Sequence, residues 1–257
     1  MAIRKKSPEQ IEMMRAAGRV VHETLKRCAQ ACKAGVTTAE IDLIAPEVFK
    51  EFGAEGLFLG YPGATPFPSN LCISVNEVVV HGIASDRKLC DGDIVGIDCG
   101  VKLDGWCGDS ATTVLVGDVS EEHRRLCDVT KRCLDLAIEY IKPGVKWSQV
   151  ARLMQRYAEE NGMGVVRNFV GHGIGSEMHE APQLPNYVSR ELLKRDITLS
   201  QGMVLAVEPM CNLGTYETEI DPADKWTVYT KDRKFAAHYE HTIAVTADGA
   251  DVLTDGR

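Results

Sequence analysis

Four carboxylates of this chain stand where a lone charge is out of place. Asp98 lies inside the apolar run Ile94-Val95-Gly96-Ile97-Asp98-Cys99-Gly100, and Glu208 closes Val204-Leu205-Ala206-Val207. Glu240 falls in the stretch from Ala236 to Thr246, which reads as one strand with period-two alternation. Asp109 follows Trp106-Cys107-Gly108, and a turn at Asp104-Gly105 would bring it opposite Asp98 or one place off. Two carboxylates facing each other are destabilising unless a cation lies between them. Taken singly, each acid has a plainer reading as a strand-end carboxylate held by backbone amides or a lysine. No lysine or arginine occupies an identifiable cross-strand position, however, so the four together call for a cation from outside.

The segment Asn168 to Glu180 adds two imidazoles, His172 and His179, among Gly171, Gly173 and Gly175. This glycine content is wrong for a helix interior, and it lets backbone pass close to a bound group. The plain alternative is a mobile surface loop with incidental histidines. A dinucleotide-binding loop is excluded because Pro182 and Pro185 interrupt any helix that should follow. Four acids with His172 form a largely oxygen donor set, suited to Mn, Fe(II), Co or Zn. Five ligands imply two such ions, about 3.5–4 Å apart.

The elements that must position these groups fall into two similar halves. Ser7-Pro8-Glu9-Gln10 opens a helix, with an apolar stripe through Ile11, Met14, Ala17, Val21, Leu25, Cys28 and Cys32. A second helix carries Ile41, Ile44, Val48 and Phe49 and stops at Gly53, with Pro46 kinking it or setting its start. The pattern returns 109 residues later, where Gly144 and Gly162 repeat Gly35 and Gly53. Strands are predicted over 71–75, 78–82, 94–101 and 106–116 in the first half, and over 166–170, 203–207, 226–230 and 236–246 in the second. Tyr61 to Pro68 reads as a rigid pocket-wall loop, and residues 212–225 as a surface loop. Two packed halves create a cleft between them, a favoured ligand position.

At 257 residues, with 44% hydrophobic and 26% charged, the chain can bury a large core without disulfides. Its nine cysteines include no C-x-x-C pair and read as free thiols of a reducing compartment. A net charge of −8 argues against broad nucleic-acid binding. No apolar run approaches a membrane span, and the first residues lack the apolar core of a signal peptide, so the cytoplasm is the expected location.

Taken together, the motifs resemble the type I methionine aminopeptidases, of the pita-bread metallopeptidase family, over nearly the whole chain. The residues that carry the likeness are Asn76 to Ile83, Gly92 to Asp98, Gly105 to Asp109, Gly171 to Gly175, Val207 to Met210 and Tyr239 to Thr242. The resemblance implies an α+β pita-bread fold, a single catalytic domain over 1–257. Its two pseudo-symmetric αβ halves, about 7–118 and 119–257, would share a central antiparallel sheet with outer helices. It also implies Asp98, Asp109, His172, Glu208 and Glu240 as ligands of two divalent ions (Co, Mn, Fe or Zn), Asp109 and Glu240 bridging. Glu208 would move the proton of the attacking water, His179 would stabilise the oxyanion, and His81 would touch the substrate backbone. His22, His123, His238 and His241 are read as structural. Phe58, Tyr61, Cys72, His81, Met178 and Trp226 would form a methionine pocket, although Phe58 and Met178 differ from the residues many bacterial relatives carry there.

The implied activity removes the initiator methionine from nascent polypeptides with a small second residue. Nascent N-termini would then be the partners, the ribosome a further candidate contact, and a monomer the expected state. Since Ala2 follows Met1, the chain would be a substrate for its own activity. Two rivals are a proline-directed peptidase of the same fold, which usually carries an additional N-terminal domain, and a binding protein on this scaffold without chemistry. The latter would be expected to lack some of the five ligands.

Overall fold

A computed structural model describes residues 3–257; Met1 and Ala2, the expected self-substrate, lie outside them. Helix α1 (Pro8–Ala31) begins where the capping residues place it. The Gln10 amide donates to the Ser7 hydroxyl, and the Ser7 amide donates back to the Gln10 side chain. The second helix is not continuous. It divides at Leu43 into α2 (Thr38–Asp42) and α3 (Ile44–Phe52). A proline ring clashes with the carbonyl four residues earlier, so Pro46 disallows helix through Asp42 and sets the break there. The Asp42 carboxylate instead accepts from the Leu71 amide at 2.8 Å and the Asn70 side chain at 2.7 Å, tying this corner to the strand Cys72–Val75.

Helices α4 (Glu121–Tyr140) and α5 (Trp147–Glu160) repeat the first pair. The repeated glycines adopt matching left-handed conformations, φ 92° and 88° at Gly35 and Gly144, 68° and 80° at Gly53 and Gly162. A short α6 (Arg190–Lys194) follows.

Every strand pairing is antiparallel. The strands Ile94–Leu103 and Trp106–Leu115 join through Asp104 and Gly105, both at positive φ (48° and 83°), the conformation a two-residue hairpin requires. This tight turn fixes a register different from both expected alternatives: Asp98 pairs with Ala111, and Asp109 with Gly100, an offset of two. The two acids are thus two positions apart across the hairpin and share a face, whereas an offset of one would have put them on opposite faces.

In the second half, five strands run in the order Ala250–Val252, His241–Val245, Val204–Val207, Gly171–Gly173, Glu180–Leu184. Three expectations are corrected here. The segment 166–170 is not a strand; it lies between the strand Gly164–Val165 and the strand Gly171–Gly173, which carries His172 itself. The stretch 236–246 breaks into Ala236–His238 and His241–Val245, with Glu240 in the gap, because that backbone leaves its own sheet to bridge Ala111 of the first half. The supposed surface loop 212–225 contains the strand Thr218–Ile220, paired with Val228–Thr230.

Each half has its own apolar core. Val21, Ile41, Val48, Ile73 and Ile97 pack under α1 and α3, while Leu126, Leu134, Trp147, Met154 and Leu205 pack under α4 and α5. Such packing resists small displacements, so strands that carry charged groups across the seam are held rigidly. All nine cysteines are free, and only Cys90 is exposed.

Candidate metal centre

The seam is laced by side chains next to the acids. Thr242 donates its hydroxyl to the Asp109 carbonyl at 2.7 Å and receives the Asp109 amide at 3.0 Å. The Ser110 hydroxyl donates to the Glu240 carbonyl, and Thr113 to the carbonyl of His238 at 2.7 Å. Asp109 and Glu240, far apart in sequence, therefore have their backbones fixed against one another. Glu208 follows the strand Val204–Val207, and its carbonyl accepts from Asn186 at 3.0 Å.

These elements bring all five predicted ligands to one cavity. Asp109, His172 and Glu240 are buried and offer ligand atoms within 4.8 Å of one another. His172 Nε2 is 3.6 Å from Glu208 and 3.9 Å from Asp109, and Asp98 lines the same cavity beside them. Among the described residues no lysine or arginine reaches these acids, and one oxygen each of Asp98, Asp109 and Glu240 is buried without a hydrogen-bond partner.

Electrostatics explain what this arrangement demands. Burial pushes the Asp98 carboxyl up to about 7. Burial together with the charge of Asp98 drives Asp109 and Glu208 well above the carboxylate range, and burial with the charge of Asp109 does the same to Glu240. The imidazoles supply no compensating charge. Burial, and then the proximity of His179, lowers His172 to about 4, so it is neutral at neutral pH. Its Nδ1 lies 3.0 Å from the Gly173 carbonyl; donating there leaves the Nε2 lone pair facing the acids, as a metal-binding histidine requires. Orphaned oxygens, four carboxyls and one oriented neutral imidazole fit divalent cations.

The cavity as a whole is about 560 Å³, and away from the acids its lining is mainly apolar. Phe58, Tyr61, Cys72, His81, Met178 and Trp226 all line it. Gly100 makes room for two of them: a Cβ there would lie 2.8 Å from the Phe58 ring and 3.1 Å from Met178 Sδ. His81 takes φ 57°, a conformation uncommon outside glycine, and burial followed by the influence of His179 lowers its pKa to about 4. His179 is exposed, with Nδ1 2.9 Å from the Tyr61 hydroxyl and its ring 4.3 Å from that of His172.

Several lining residues were not singled out in the sequence, Phe67 standing out only as part of the loop expected to form a pocket wall. Phe67, held between Pro66 and Pro68, stacks edge-on to Trp226 at 5.3 Å, and Phe169 sits 5.2 Å from His81. His238, read as structural, is buried in the cavity wall with Nε2 unpartnered and 3.9 Å from Glu240. Its position two residues before Glu240, on the same side of a would-be strand, was the available signal.

Residues 12–247 match the metallopeptidase family M24, and the chain belongs to that family; its fold is the pita-bread fold. Divalent metal is its cofactor class. Among its relatives, the methionine aminopeptidase of Clostridium acetobutylicum is 45% identical over 250 residues, covering 97% of each chain. That of Escherichia coli is 44% identical over 256 residues, covering 99% of this chain and 94% of the relative. The crystal structure of methionine aminopeptidase from Thermotoga maritima superposes with a TM-score of 0.93 at 38% identity, covering 98% of this chain and 99% of that one.

Proposed function

We propose that this chain is a methionine aminopeptidase, a hydrolase that removes N-terminal methionine from peptides and nascent polypeptides whose second residue is small. It works as a single catalytic unit of two halves, 7–118 and 119–257. The observation that carries the reading is the convergence of Asp98, Asp109, His172, Glu208 and Glu240, with no cation among the described residues to pair with them, at one end of an apolar cavity. These five residues would hold two divalent ions. When bound, such ions would lower the pKa of a water from near 16 toward about 7 and polarise the scissile carbonyl.

The chain's own groups supply the rest. Glu208 accepts the proton of the attacking water and delivers it to the departing amide nitrogen. With the Tyr61 hydroxyl donating to Nδ1 of His179, the proton of that imidazole sits on Nε2, the donor an oxyanion needs. His81, neutral because it is buried, hydrogen-bonds the substrate backbone. Phe58, Tyr61, Phe67, Cys72, Met178 and Trp226 surround an unbranched apolar side chain and exclude water from it.

A peptide series tests this directly. Met-Ala-Ser is cleaved and Met-Leu-Ser resists, while Ala-Pro peptides and internal methionines are left intact. Preferential cleavage of Ala-Pro would favour a proline-directed peptidase, and no cleavage of any peptide with metal bound would favour a binding protein.

A further inference from the structure

One charged pair in the structure has no part in the chemistry above. Lys6 Nζ lies 2.7 Å from a carboxylate oxygen of Glu180, and their side chains are only 4% and 7% exposed. A pair this deep contributes little net stability over apolar residues of the same volume, so stability alone does not explain it. Its location does. Glu180 directly follows His179 and opens the strand Glu180–Leu184, while Lys6 belongs to the arm that precedes α1.

That arm is firmly anchored. The Lys6 amide donates to the Gly202 carbonyl at 2.7 Å, Lys6 Nζ also donates to the Arg4 carbonyl at 3.1 Å, and Ile3 packs on the second core. Gly175 is shaped around the contact: a Cβ there would come within 2.5 Å of Lys6 Cε and 2.6 Å of Glu180 Oε1. Elsewhere the 174–180 segment is held by the Ile174 amide to the Val204 carbonyl, the Cys107 amide to the Gly175 carbonyl and the Cys107 thiol to the Ser176 carbonyl, all at or before Ser176; the stretch that carries His179 is held by the Tyr61 hydroxyl at His179 Nδ1 and through Glu180.

We infer that Lys6 is a positioning residue, whose buried ion pair with Glu180 holds the His179 segment at the height the reaction needs. The inference rests on the methionine aminopeptidase reading. A displacement of about 1 Å in a catalytic group can cost about 100-fold in rate, so Lys6→Met is expected to lower kcat on Met-Ala-Ser by about 10- to 100-fold. KM should change less than kcat falls, because of the methionine pocket only Met178 lies on this segment, while Phe58, Tyr61, Cys72 and Trp226 are carried elsewhere.

The test compares metal-loaded wild type, Lys6→Met, His179→Ala and the double variant. Arg15→Met, which breaks the pair of α1 with Asp251 outside the cavity, serves as a control for general destabilisation. Lys6 acting through His179 gives a large kcat loss in the wild-type background and almost none on top of His179→Ala. The role is overturned if Lys6→Met keeps kcat within twofold. It is equally overturned if the loss is the same in the His179→Ala background, or if Arg15→Met at equal loss of Tm lowers kcat as much. Wild type that cleaves nothing would overturn the aminopeptidase reading, and this role with it.

Discussion

Stripping divalent metal from the protein and raising the pH should unmask the repulsion that the metal relieves. A carboxyl raised in the folded chain contributes stability below its unfolded pKa of about 4 and loses it as pH climbs through the folded value. Asp98, raised to about 7, loses its contribution between those limits, and Asp109, Glu208 and Glu240, held well above the carboxylate range by burial and neighbouring carboxylate charge, lose theirs in the same direction as pH rises. The buried histidines have the opposite sign. His81, His172 and His238, lowered by burial to about 4, 4 and 3, add stability as pH rises to their unfolded value and nothing beyond it. Above a pH of about 6.5 the acids therefore act alone.

One carboxyl that keeps its proton only in the folded chain costs about 1.4 kcal/mol per pH unit, or about 2 kcal/mol between pH 6.5 and 8. For a chain of this length that is about 4–8 °C in Tm. Metal-loaded protein should behave oppositely, since its ligands bind deprotonated and metal affinity rises with pH. Thermal unfolding of chelator-treated and reloaded protein across this window reads both slopes. A chelated Tm that stays level, or rises in parallel with the loaded one, would refute the reasoning.

Other substitutions separate the roles within the cavity. His179→Ala removes one oxyanion donor and should lower kcat by about 100- to 1000-fold at saturating metal. Glu208→Gln should likewise abolish most turnover; near-full kcat in either variant contradicts the assignments. Tyr61→Phe deletes a single hydrogen bond to His179, worth about 1 kcal/mol, so kcat should fall about fivefold while bound metal is unchanged. Gly100→Ala pushes a methyl against Phe58 and Met178 and should raise KM for Met-Ala-Ser about tenfold or more, with kcat little altered.

The chemistry of this site is legible in the sequence wherever a charge interrupts an apolar strand. Asp98 and Glu208 stand out for that reason, and the Asp104-Gly105 turn correctly joins the strands that carry Asp98 and Asp109. The hairpin register required knowing that the turn is two residues long with both φ positive, which composition alone leaves open. The break at Glu240 was hidden because Ala236 to Thr246 alternates like one strand; only the bridge to Ala111, a contact between the halves, forces it apart. Likewise Pro46 signals a helix break without revealing that Asp42 redirects its carboxylate to Leu71. Phe67 and His238 join the cavity through tertiary folding of a proline-rich loop and of that same broken strand, which no local periodicity encodes.

The most direct measurement is anomalous diffraction at a metal absorption edge from crystals grown with the divalent ion. The expected map has density bonded at about 2.0–2.2 Å to oxygens of Asp109 and Glu240 and to His172 Nε2, with Asp98 and Glu208 completing the shell. Carboxylates turned to solvent or paired with lysine or arginine, and no anomalous peak among them, would contradict it.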